Sequence, residues 1–205
     1  MNFTEPQLHS LIQQKPIGHS FPYNTEAEEQ IEAYIQSLFE RFKQSKLIQC
    51  DAEFDHYGSG YASFVEFFCY KKDGSSILNE GYIKEDDITT FQMEGISVYV
   101  SRLAPVAVLG WDEREKWIKH KGERRKESFN GFSHLSPESL EKIPSTYEKL
   151  LQEIKQTLSE AGFTLLKRAQ VEKPLPFEAD IPTSLTLPDF GEEYKVFDAI
   201  FYWSD

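Results

Sequence analysis

After Lys46 the spacing of apolar residues changes, and this switch limits the fold more than any other feature. Between Thr25 and Lys46, the residues Ile31, Tyr34, Ile35, Leu38, Phe39 and Phe42 recur at three- and four-residue steps. That spacing lines one face of a long helix. Asn24 or Thr25 can cap it, and Glu26, Glu28 and Glu29 suit the positive end of its dipole. From Ile48 the period is two: Ile48, Cys50, Ala52 and Phe54 alternate with Gln49, Asp51, Glu53 and Asp55, as in a half-buried strand.

The strand predicts its own partner. Gly58-Ser59-Gly60 marks a turn, and Tyr61 to Lys71 is an aromatic-rich second strand. A turn centred on Ser59-Gly60 sets Phe54 against Val65, Ala52 against Phe67 and Cys50 against Cys69, all on one apolar face. The same register opposes Glu53 to Glu66, an unfavourable pair unless solvent or a cation separates them.

Further along, Ser76 to Ile83 reads as a strand, Thr89 to Met93 as a short edge piece, and Gly95 to Leu103 as an alternating strand that Pro105 interrupts. Val106 to Trp111 is an apolar strand. Asp112 to Ile118 reads as a helical turn and Lys119 to Phe132 as a polar loop. A second helix is expected from Ser145 to Ala161, with a capping box at Ser145 and Glu148 and a stop at Gly162. Phe163 to Gln170 and Tyr194 to Trp203 are expected strands, joined by a surface crossing that carries Pro174, Pro176, Pro182 and Pro188. Residues 1–205 therefore read as a single α+β domain. Its antiparallel sheet has about five to seven strands, with the long helix of the N-terminal half and a second helix of the C-terminal half packed on it.

Composition narrows the function classes. Thirty-four acids against 22 bases leave a formal charge of −12. Nucleic-acid binding needs a clustered basic surface, so neither nucleic acid nor anionic membrane is an expected partner. The one basic run, Arg114 to Lys126, is interleaved with Glu113, Glu115, Glu123 and Glu127 and reads as a solvated segment. No apolar stretch approaches the ~18–20 residues of a membrane helix. The N-terminal residues lack the pattern of a secretory signal, so a cytoplasmic location is expected.

No catalytic motif and no cofactor fingerprint is present, and the five histidines have no metal-ligand spacing. We accordingly expect no cofactor and no metal, and name no catalytic residue. Cys50 and Cys69 read as inert core thiols. Two groups of acids stand out as a surface for a partner. Asp51, Glu53, Asp55 and Glu66 form a stripe on the hairpin, and Asp180, Asp189, Glu192 and Glu193 lie near aromatics in the C-terminal third.

Two readings from different classes follow. The first is a non-catalytic acidic domain that covers a basic protein partner, best specified as an immunity, antitoxin-type or regulatory protein. The alternative is an enzyme or small-ligand binder with a dispersed site, for which His56, Tyr99, Arg102 and Asp112 are polar groups near strand ends. A homo-oligomer formed through a sheet edge or helix face is the third class.

Overall fold

A computed structural model describes residues 2–58, 60–120, 126–130, 134–183 and 193–204, with the backbone alone at 126–130. Helix α1 spans Glu5–Ile12. The expected long helix is α2, Glu28–Lys43, and it buries Ile31, Ile35, Leu38 and Phe42. It starts three residues later than expected because Thr25 turns back, its hydroxyl donating to the Pro22 carbonyl at 2.7 Å.

Strand β1, Ile48–Glu53, pairs antiparallel with β3, Phe64–Lys71, and a two-residue strand β2, Tyr61–Ala62, lies between them. The register is the expected one: Cys50 faces Cys69, Ala52 faces Phe67, and Glu53 faces Glu66. The chain continues through β4, Ile77–Ile83, into two long strands, β5 at Ile88–Ser101 and β6 at Val106–Lys119. Thr89–Met93 and Gly95–Leu103 are thus parts of one strand, and Pro105 lies in the turn that ends it. Strand β7, Lys126–Asn130, pairs with the far end of β6, so the range Lys119 to Phe132, expected as a polar loop, contains a strand; 121–125 and 131–132 of it lie outside the described residues.

Four further expectations about single elements are corrected. Asp112 to Ile118 is not a helical turn but the continuation of β6, paired residue by residue with β5. Its charged composition favours no strand by itself, and pairing with a long neighbour overrides that weak preference. The capping box at Ser145 and Glu148 does not form. A 3₁₀ turn at Ser145–Tyr147 precedes α3, Glu148–Glu160, which moves the cap to Tyr147. Phe163 to Gln170 gives only β8, Thr164–Leu165, followed by the one-turn helix α4, Arg168–Val171. Tyr194 to Trp203 is half helical: α5 spans Val196–Ile200, and β9, Trp203–Ser204, is the only described strand there. The aromatics there reflect burial, which strand and helix satisfy equally.

The architecture is α+β, but the curled sheet is mixed. Its order is β1-β3-β5-β6-β7, with β4 also on β5 and β8 parallel to β6. Strands β2 and β9 form a separate pair. One face carries Cys50, Val65, Phe67, Ile96, Val98 and Val100 beneath α2 and α3. The other carries Phe64 and Tyr99, which join a second cluster with α1, α5 and Tyr202. Further along the same face, Phe68, Tyr70 and Met93 form a third, smaller cluster. A Cβ at Gly95 would come within 2.8 Å of the Phe68 ring, so glycine there lets that ring lie against the sheet.

Candidate functional site

The link from β1 to β2 holds two successive non-glycine residues in the left-handed region, His56 (φ 48°) and Tyr57 (φ 58°), followed by Gly58 (φ 85°). Such a conformation persists only where surrounding contacts enforce it, and it recurs at functional sites. Here the contacts are visible. One Glu53 carboxylate oxygen accepts the N–H groups of Asp55 at 2.7 Å and Tyr57 at 3.3 Å. His56 Nδ1 accepts the Ala62 N–H at 2.9 Å, and the His56 carbonyl accepts Trp203 Nε1–H at 3.1 Å. The loop is therefore pinned from β1, from β2 and from the C-terminal strand.

Beneath it runs a buried polar network. The Tyr57 hydroxyl donates to Glu66 Oε2 at 3.0 Å. The other oxygen of Glu66 pairs with Arg114. Arg114 Nε donates to Asp112 Oδ2 at 2.7 Å and Nη2 to Ser97 Oγ at 2.8 Å, while Ser97 donates to Asp112 at 2.8 Å. The guanidinium also lies 4.6 Å above the Phe68 ring centroid. Burial raises the Glu66 carboxyl pKa, and the Arg114 charge and hydrogen bond oppose that rise.

On the outer side of the loop, acids converge on aromatic rings. His56 stacks on Tyr61 with centroids 5.6 Å apart. Burial and then Arg102 lower the His56 pKa, while Glu32, Glu28 and Asp55 act to raise it. Burial raises the Tyr61 hydroxyl pKa, and Glu28 and Glu32 add to that rise. Helix α2 is held against this rim by Arg102, which is 3% exposed. Arg102 grips Glu32 at 2.9 and 3.2 Å and donates to the carbonyls of Phe54, Ala62 and Phe64.

The expected acidic stripe is thus divided. Asp51 is half-buried, with Lys116 Nζ at 3.5 Å. Glu53 is turned to the loop backbone, and Glu66 is 2% exposed within the network. Asp55 is exposed on the rim. In the C-terminal group, Asp180 and Glu193 are exposed, whereas Asp189 and Glu192 lie outside the described residues. Glu193 lines a cavity of about 570 Å³ with Leu175, Phe177 and Tyr194.

Each of the four groups named for a dispersed site has hydrogen-bond partners of its own, His56 with the Ala62 N–H as above. Arg102 and Asp112 are engaged as described, and the Tyr99 hydroxyl accepts the Leu135 N–H at 3.0 Å. None of them lines the cavity at Glu193. Among the described residues, no cluster of three histidine, cysteine or acidic side chains could hold a metal ion. No described helix is long and apolar enough to cross a membrane.

Sequence reasoning missed Arg114, Tyr57, Ser97 and Glu32. The conflict between Glu53 and Glu66 was the available signal, because two carboxylates facing each other in register ask for a cation. Arg114 is that cation, on a segment that had read as helical. Comparison with family models, with curated proteins and with solved structures finds no match.

Proposed function

We propose that this chain is a non-catalytic protein-binding module whose acidic rim covers a basic protein partner, as an immunity or antitoxin-type protein covers its toxin. The observation that carries the reading is the hydrogen-bonded His56–Tyr57 loop, where the charges of Glu28 and Glu32 act on both stacked rings, His56 and Tyr61, and that of Asp55 acts on His56. Rigid presentation lowers the entropy lost on binding. Aromatics supply contact area, and acids at the edge steer a basic partner and select against acidic ones. The chain's charge of −12 acts in the same direction.

The test is affinity capture from the native host with the wild-type chain and with Glu28→Lys combined with Asp55→Lys. Both side chains are exposed, so the variant is expected to fold. The expected result is one basic protein, held at low salt, weakened at high salt and lost with the variant. A partner retained equally by the variant would place the interface elsewhere and overturn the reading.

A further inference from the structure

Among the described residues six large hydrophobic side chains remain exposed, and five of them, Leu47, Ile77, Leu78, Tyr82 and Ile83, border one edge of the sheet. Strands β3 and β4 run in the same direction along the same edge of β5: β3 pairs Phe64–Cys69 with Ser101–Ile96, and β4 pairs Ile77–Ile83 with Met93–Ile88. β1 covers the outer edge of β3. Leu47 continues that cover by one residue, its carbonyl accepting the Lys72 N–H at 2.9 Å. Among the described residues, no strand covers the outer edge of β4.

That edge is lightly protected. Folded proteins blunt free strands with lysine, proline, inward charges or bulges, and an open apolar edge is a template for another strand; here the pairing with β5 shifts register once, between Ile77 and Asn79, and is regular from Asn79 to Ile83. Of the seven residues of β4, only Glu80 is charged, while Leu78 is 49% and Tyr82 59% exposed. Apolar side chains project on both sides of the strand, and a strand added in the plane of the sheet covers both at once.

The two ends of β4 have opposite charge. Where it begins, a cleft of about 630 Å³ is lined by Lys46, Leu47, Lys71, Ser75 and Lys149. Two acids, Asp73 and Glu148, also line this cleft, so its three lysines leave an excess of one positive charge. Asp73 accepts the Ser75 N–H at 2.9 Å, and Glu148 accepts from Gln152 at 2.6 Å. Where β4 ends, the turn to β5 exposes Glu85 and Asp86 beside Asp87, with Lys84 as its one base.

We infer that the occupant of this edge is a second copy of the chain, its β4 paired antiparallel with the first about a two-fold axis near Glu80. An antiparallel pair sets the Ile77–Leu78 end of each strand beside the Tyr82–Ile83 end of the other. It also carries the acidic turn of each copy to the lysine cleft of the other, so apolar and charged surfaces match twice through one symmetry operation. A parallel arrangement would bring like ends together. The one unfavourable contact is Glu80 meeting its own copy near the axis. The inference does not depend on the acidic-rim reading, which concerns a different surface.

Sedimentation equilibrium of the full chain over a concentration series tests it. The wild type is expected to show a monomer–dimer equilibrium. Leu78→Lys with Tyr82→Lys, both at exposed positions, is expected to give a folded monomer whose cooperative melting no longer depends on protein concentration. Glu80→Gln is expected to tighten the dimer. Lys46→Glu with Lys149→Glu, and separately Glu85→Lys with Asp86→Lys, should each weaken it at least about tenfold. Mixing these two charge-reversed variants should restore a heterodimer, because both contacts are then complementary. A wild type that stays monomeric at every concentration, a dimer that survives Leu78→Lys with Tyr82→Lys, or a mixture that restores nothing would overturn the inference. So would a monomer that captures a foreign strand at β4.

Discussion

Glu66 of β3 and Arg114 of β6 form a buried ion pair across β5, the strand that separates theirs in the sheet. The pair is completed by Asp112 and Ser97 on one side and by the Tyr57 hydroxyl on the other. It connects the loop at the rim to the middle of the sheet, between two apolar clusters on the same face.

Removing the cation should therefore be far worse than neutralising one acid. Arg114→Met leaves Glu66 and Asp112 buried without their shared partner and is expected to cost about 3–5 kcal/mol. Glu66→Gln keeps Arg114 on Asp112 and should cost about 1–3 kcal/mol. Urea denaturation at neutral pH measures both. Equal losses would show that the network does not share charge as its geometry implies.

Stability should fall on mild acidification. Burial, and then the neighbouring guanidinium, hold the pKa of His56 (Arg102) and His134 (Arg114) below the ordinary 6.5. The unfolded chain then binds protons before the folded one does. The contribution is complete above the unfolded value and is lost as pH falls through the lower folded values, so the loss starts at about pH 6.5. Denaturant midpoints taken from pH 7.5 down to 5 should decline, and less steeply in His134→Gln. An identical slope in that variant would assign the decline to other groups.

The C-terminal segment should be indispensable for a reason other than sheet pairing. Val196, Phe197, Ile200, Phe201 and Tyr202 are all buried, and the Tyr202 hydroxyl donates to the Leu11 carbonyl at 2.9 Å. A chain ending at Lys195 loses these side chains from the second cluster and leaves β2 unpaired. It should fail to melt cooperatively. A sharp transition by near-ultraviolet circular dichroism would refute that.

The paired thiols should be silent in the native state. Cys50 and Cys69 are both buried, with sulfurs 3.5 Å apart, and burial and then Cys69 raise the Cys50 pKa. Thiolate is the reactive form, so labelling should require opening of β1 from β3. A thiol reagent should modify both only at the rate of that opening, accelerated by denaturant. Prompt stoichiometric labelling in native buffer would show an accessible pair.

Much of the architecture was legible because its signals are local. The stripe Ile31, Ile35, Leu38 and Phe42 and the alternation Ile48, Cys50 and Ala52 bury as their periods require. The hairpin register follows because a one-residue slip would expose one whole apolar set. The candidate site was less legible. Asp55 could be placed on the surface from alternation alone, but Glu53 and Glu66, equally acidic on the same strand face, went to the loop backbone and to Arg114.

By itself, then, the sequence determined the helix faces, the β1–β3 register and the acidic balance, since each depends on residues close along the chain. Only the tertiary structure decided that Asp112 to Lys119 is a strand, that Val196 to Ile200 is a helix, and that no described strand covers the outer edge of β4. Those outcomes depend on which distant segment competes for each surface. Strand pairing across the long β5–β6 hairpin and burial against α1 outweigh the weak local preferences of the residues concerned.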